Sequence, residues 1–246
     1  MEASPSKFRQ LDPDKIIETV QGLHQRIEER FPGSGLGKVV AELLQVAQET
    51  VTRTRWIQQP NIPLRFAAAA LIVLIIAVVV GIVVNIHKFQ LDDFVNTMQG
   101  LDSAIGTVVF IGAAILFFVS WENRIKRNRA LKAIHELRAL AHIVDMHQLT
   151  KDPDSYFGQG HTKFIRKREM SHFELSRYLD YCGDAMALIS KIGALYVQGF
   201  QDPVLLDAVD DVEDLTAGIS RKIWQKLTIL ENYGRALQAG ELGEKA

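Results

Sequence analysis

The sequence predicts an all-α fold: a two-span transmembrane helical hairpin, with an N-terminal cytoplasmic helical hairpin and a C-terminal cytoplasmic helical bundle. Three observations predict it. Phe66 to Ile86 is a run of 21 residues without a charge, and Ser103 to Trp121 is a second run of 19. Outside those runs, apolar residues recur three and four apart, the spacing of one helical face. The seven prolines fall between the periodic stretches, as punctuation of long helices rather than of short strands.

Whole-chain averages conceal this division. The 246 residues are 48% apolar and 23% charged, with 28 basic and 29 acidic side chains. Those are the values of an ordinary soluble protein. The near-zero net charge argues against a general nucleic-acid binder. The one cysteine, Cys182, excludes an intramolecular disulfide framework and any paired-cysteine metal or redox motif. Glu2, Asp12, Asp14 and Glu18 occupy a stretch with no apolar core, so the N-terminus does not read as a cleavable signal peptide.

Residues 1–59 are expected to form a cytoplasmic helical hairpin. Asp12-Pro13-Asp14 reads as a helix cap, a first-turn proline and a carboxylate favoured by the helix dipole. Ile16, Ile17, Val20, Leu23, Ile27 and Phe31 then follow at helical spacing. The stretch 31–37 (FPGSGLG) breaks that helix, and Leu36, Val39, Val40, Leu43, Leu44, Ala47 and Val51 mark one side of the next. Its glycines and Lys38 invite a phosphate-loop reading. Val39 stands where a phosphate loop needs Ser or Thr, and no strand precedes it, so a turn using the positive φ of glycine is expected instead. Residues 58–63 (QQPNIP) form a stiff linker into the membrane.

Residues 64–121 are expected to be the transmembrane hairpin, with spans 64–86 and 103–121 joined by an outside loop, 87–102. A helix needs roughly 20 apolar residues to cross the hydrocarbon core. The orientation follows the basic flanks. Arg53, Arg55 and Arg65 precede the first span, and Arg124, Lys126, Arg127, Arg129 and Lys132 follow the second. The loop holds Asp92, Asp93 and Asp102 against Lys88. Both termini are therefore expected in the cytoplasm, with Trp56 and Trp121 as interfacial anchors. Neither span contains an ionisable residue, which argues against a proton relay.

Residues 122–246 are expected to form a cytoplasmic stalk and helical bundle. The helical pattern of the second span continues without a stop to Thr150, and Lys151-Asp152-Pro153 is the first firm break. A helix over 103–149 would be roughly 70 Å long at 1.5 Å per residue. After a loop over 151–170, Ser171 and Glu174 fit a capping box. Leu175, Leu179, Cys182, Met186, Ile189, Gly193 and Tyr196 share one stripe of the next helix. Gly199 ends it, and Asp202-Pro203 starts another, striped by Leu205, Val212, Leu215, Ile219, Ile223, Leu227 and Leu230 and expected to reach about residue 238. The charge is split: residues 122–170 hold 11 basic and 6 acidic side chains, residues 171–246 hold 7 and 12. That opposition can steer packing within the bundle or between subunits.

The sharpest chemical constellation lies on the stalk. At 100° per residue, His135, Arg138, His142 and Asp145 fall within an arc of about 80°. His142 and Asp145 are three apart and can meet, so they are the candidate ligands for a divalent metal. The competing reading has Asp145 orienting His142 at the edge of the packed face, where the arc borders Ile134, Leu137, Ala141 and Val144. A third ligand would have to come from elsewhere, for example His161 or His172. Asp207, Asp210, Asp211 and Asp214 share a face opposite the apolar stripe of their helix and read as solvated. Lys163, Arg166, Lys167 and Arg168 form a basic cluster suited to a solvated loop, a protein contact or anionic lipid. Hydrolase, zinc-protease, dinucleotide and kinase motifs do not occur. Cys182 lies on an apolar face and reads as buried.

The expectation that follows is a non-enzymatic integral membrane protein without a cofactor. It would scaffold or assemble a complex at the cytoplasmic face, as a homo-oligomer and with a cytoplasmic protein partner, the lipid bilayer being its solvent and nucleic acid not a ligand. The alternatives are a signal-transmitting or gating element coupling hairpin to stalk, and a metal-dependent sensor or enzyme using His142 and Asp145.

Overall fold

The computed structural model describes residues 9–59, 62–86, 94–151 and 170–243. These residues form six helices: α1 (Pro13–Arg30), α2 (Gly35–Gln58), α3 (Ile62–Ile86), α4 (Phe94–Leu149), α5 (His172–Gln198) and α6 (Pro203–Gly243), with no strand among them. The chain divides into two units. One holds α1, α2, α5, α6 and α4 from Ala130 onward; the other spans Gln59–Arg129.

In the first unit the expected boundaries are set by the expected chemistry. The Asp12 carboxylate accepts from the backbone N–H of Asp14 at 3.0 Å and of Lys15 at 3.5 Å, with Pro13 opening α1. Ser171 and Glu174 form a reciprocal capping box at the start of α5. The Asp202 carboxylate accepts from the N–H groups of Val204 and Leu205, both at 3.1 Å, ahead of α6. Each cap satisfies donors that have no partner inside the helix.

The core of this unit follows the apolar stripes. Val20, Leu23 and Ile27 of α1, Leu36, Val40 and Leu43 of α2, and Leu179, Met186 and Ile189 of α5 are fully enclosed. Leu205, Val212, Ile219, Ile223 and Leu230 of α6 close it. Helices α5 and α6 pack as an antiparallel pair, and both α1 and α2 lie against α5. From α4, Ala130, Ala133, Ile134, Leu137, Ala141 and Val144 are buried. Leu137 reaches over Gly193 of α5, where an added Cβ would stand 3.9 Å from its Cδ1. Segments more than a hundred residues apart, the N-terminal hairpin and the C-terminal helices, thus share one core.

The second unit contains α3 and α4 up to Arg129. Among its described side chains, Phe66, Val73, Leu74 and Ile76 on α3, and Val109, Phe110 and Leu116 on α4 are exposed. One helix among the described residues, Val108–Leu149, is long and apolar enough to cross a membrane by length and composition. The expected connection over 87–102 is shorter than its sequence suggested, because α4 already begins at Phe94. Residues 94–102 contain no proline and only Gly100 as a weak breaker, so nothing prevents the helix from starting early. Residues 87–93 lie outside the described residues. The last helix likewise runs past the expected residue 238 to Gly243, carried by the helix formers Ala236, Leu237 and Ala239.

Candidate functional site

One group of polar side chains joins α2, α4 and α5. Arg53 sits on α2, one turn beyond Glu49. Its guanidinium donates to the carboxylates of Glu49 and Glu136, each at 2.6 Å, and Glu136 belongs to α4. All three side chains are about one-third exposed, so the pairs are partly screened by solvent. Beneath them, Thr50 and Tyr196 are enclosed and their hydroxyls lie 3.1 Å apart. The Thr50 hydroxyl already donates to the Val46 carbonyl at 2.7 Å, so Tyr196 donates to Thr50. Burial raises the Tyr196 phenol above its ordinary range, against the opposing pull of Thr50 and Arg53. Burial works against the charge on Arg53, but hydrogen bonds to Glu136 and Tyr196 outweigh it and raise its pKa. A surface depression of about 330 Å³ beside this group is lined by Glu42, Glu49, Arg53 and Glu136. The arrangement fastens three helices at one point.

The sequence-predicted metal pair is placed on the outer side of α4. His135 and His142 are exposed and Asp145 is half-buried. The Asp145 carboxylate accepts from the Gln148 side-chain amide at 2.7 Å. Arg138 points elsewhere, toward Asp211 of α6 at 3.6 Å. Among the described residues no group of three or more His, Cys, Asp or Glu converges on a point where a cation would sit. His172, considered as a third ligand, hydrogen-bonds the Leu230 carbonyl through Nε2 at 2.8 Å and so ties α5 to α6. His161 and the basic cluster Lys163, Arg166, Lys167 and Arg168 lie outside the described residues.

The other singled-out residues take structural positions. Gly33 adopts φ 68°, the left-handed conformation that glycine enters without a Cβ penalty. Its N–H donates to the Glu28 carboxylate at 3.2 Å, and Gly37 N–H donates to the Ser34 hydroxyl at 3.0 Å. A carboxylate of the chain itself therefore occupies the turn that a phosphate would need. Cys182 is enclosed, and burial pushes its thiol up to about 12, far from the thiolate a nucleophile requires. Asp207, Asp210, Asp211 and Asp214 are all exposed, and Asp211 answers Arg138. The opposed charges of the two sequence stretches meet in that pair, while the Lys226 ammonium donates to the carbonyls of Gln148 and Lys151 at the end of α4.

Two features were missed by pattern reading. Glu136 and Tyr196 meet Arg53 across 83 and 143 residues of chain, and no local signal links such positions. Ile143, Met146 and Leu149 were passed over because they fall off the stripe of Leu137, Ala141 and Val144; on α4 they are exposed. Their signal was available as apolar residues on the wrong side of an amphipathic helix.

No protein-family model, curated protein or solved structure matches the chain.

Proposed function

We propose that this chain is a non-enzymatic integral membrane protein that assembles a complex at the cytoplasmic face through homo-oligomerisation and a cytoplasmic protein partner. One observation carries the reading: the apolar surface left uncovered along α3 and along α4 as far as Trp121. Phe110 is 79% exposed and Leu116 70%. Each large apolar side chain kept in water forgoes about 1.5–3 kcal/mol of burial. Lipid supplies that burial without a protein partner and leaves the helices to satisfy their own backbone groups. Spans over 64–86 and 103–121 with both termini cytoplasmic follow from the basic flanks. The polar side chains of the other unit support a structural role, since Arg53, Glu136, Tyr196, His172 and Lys226 are each engaged in fastening one helix to another.

The test is fractionation followed by sizing. The full chain is expected to sediment with membranes, to resist alkaline carbonate extraction, and to elute from mild detergent as a homo-oligomer with a co-purifying protein. Recovery as a water-soluble monomer would overturn the reading.

A second reading, transmission of a signal along the stalk, is favoured by the unbroken run of α4 from Phe94 to Leu149. It predicts that inserting two residues after Arg129, which turns everything downstream by about 200°, abolishes output. Retained output after that insertion would remove it.

A further inference from the structure

We infer that the contact between the last turn of α4 and the first turn of α2 is a latch that acid releases, with His147 as the group that takes the proton. Both turns belong to the same unit. The ring of His147 lies against Gly35, the first residue of α2. Its Cε1 fills the space where a side chain would begin, and Nε2 and Nδ1 stand 3.0 and 3.2 Å from that point. A Cβ at residue 35 would collide with the ring, so only glycine allows this approach. Both nitrogens that can carry the proton are thus held at the contact.

The other side of the contact is the positive end of a helix. Ser34 stands ahead of α2, where its hydroxyl accepts from the N–H of Gly37 at 3.0 Å and its carbonyl from that of Lys38 at 3.2 Å. The first N–H groups of a helix have no partner inside it, and the helix dipole adds to their partial charge. A neutral imidazole can lie against such a turn, whereas an imidazolium meets like charge there. The charged groups at this corner act in the same direction. Lys151 stands just past the end of α4, and Lys226 of α6 donates to the carbonyls of Gln148 and Lys151. Lys38 lies in the first turn of α2. Tyr178 of α5 has the Lys151 ammonium 5.2 Å from its ring centroid, and burial keeps its phenol neutral. The carboxylates nearby are engaged: Glu28 of α1 accepts from Gly33 N–H at 3.2 Å, and Asp145 accepts from Gln148 at 2.7 Å.

Burial, and after it Lys151, lowers the His147 pKa. The closed contact therefore resists the proton more than the opened one does. It is held in full above the ordinary histidine range and is lost as pH falls toward the lowered value. Release uncovers Leu36 and Gly37, which are enclosed in the closed contact. It loosens the start of α2 while the α5–α6 pair keeps its packing.

Hydrogen exchange of the full chain in mild detergent tests this, compared at about pH 7.5 and about pH 5 and corrected for the intrinsic pH dependence of amide exchange. On acidification the protection of residues 35–40 is expected to fall several-fold in the wild type, with α5 unchanged. His147→Gln, which cannot take the proton, is expected to keep that protection at both pH values. Lys151→Met is expected to show a smaller fall, because one cause of the lowered pKa is gone. No fall in the wild type, or a fall that either variant leaves at full size, overturns the inference. A fall spread equally over α5 is global unfolding and overturns it as well.

Discussion

Helices α3 and α5 are both long and rich in apolar residues, yet they spend them differently. Thirteen residues of α5 are buried, and its outward positions carry Arg177, Asp184 and Lys191. Helix α3 exposes Phe66, Val73, Leu74, Ile76 and Val80, and its sequence from Phe66 to Ile86 contains no charged residue. A helix that buries one face needs a polar face for water, and α5 has both while α3 has no polar face. The contrast teaches that the distribution of apolar residues around the axis, rather than their number, tells a helix that packs one face into a core from one that does not.

The sharpest way to break that contrast is one substitution made in both environments. Leu179→Ala on α5 removes a fully enclosed side chain and is expected to cost about 2–5 kcal/mol, read as a loss of stability in chemical denaturation. Leu116→Ala, on the outward surface of α4, is expected to leave the same transition within about 0.5 kcal/mol. Equal losses at the two sites would mean that Leu116 is covered by protein.

Ile76→Lys addresses α3 alone. A lysine at the middle of a span carries an apparent insertion cost of roughly 3 kcal/mol, so the membrane-integrated fraction is expected to fall sharply in an insertion assay. Unchanged integration would count against α3 as a span.

The fastening of α2 to α4 and α5 is worth less. Tyr196→Phe removes the buried hydrogen bond to Thr50 and is expected to cost about 1 kcal/mol. Arg53→Ala breaks two partly exposed ion pairs and is expected to cost up to about 1 kcal/mol, less at high salt. A loss at Arg53 that salt does not reduce would show that packing of its stem, not charge, holds the helices.

The smallest expected effect is on pH. His147 packs over Gly35 at the start of α2, and burial, helped by nearby Lys151, lowers its pKa. The folded chain therefore resists protonating it more than the unfolded chain does. Its contribution is fully present above the ordinary histidine range and is lost as pH falls toward the lowered value. His147→Gln is expected to flatten the decline in denaturation midpoint between neutral and mildly acidic pH. An unaltered decline would assign it to other groups.

Most of the secondary structure was legible beforehand because its signals are local. Asp12, Ser171 and Asp202 cap the helices they were expected to cap, and the stripes of α1, α2, α5 and α6 face the core as their spacing required. The start of α4 was not legible, since residues 94–102 lack both an apolar pattern and a firm stop. The site was legible only in fragments. His142 and Asp145 are neighbours on one helix, as their separation of three dictates, but the partner of Asp145 is Gln148 and Arg138 belongs to Asp211. Which of several polar groups within reach takes a given carboxylate depends on the helix packed opposite.

By itself the sequence determined the helices, their caps, the faces they bury and the two runs that no water-exposed helix would carry. These are decided within a few residues, by backbone hydrogen bonding and the 3.6-residue period. Only the tertiary structure decided that the N-terminal hairpin shares a core with α5, that Arg53 fastens it to α4, and that Met146 and Leu149 stay exposed after the inner face of α4 is consumed. Those outcomes join residues many tens of positions apart, and they turn on which apolar faces cover one another, a choice that local spacing leaves open.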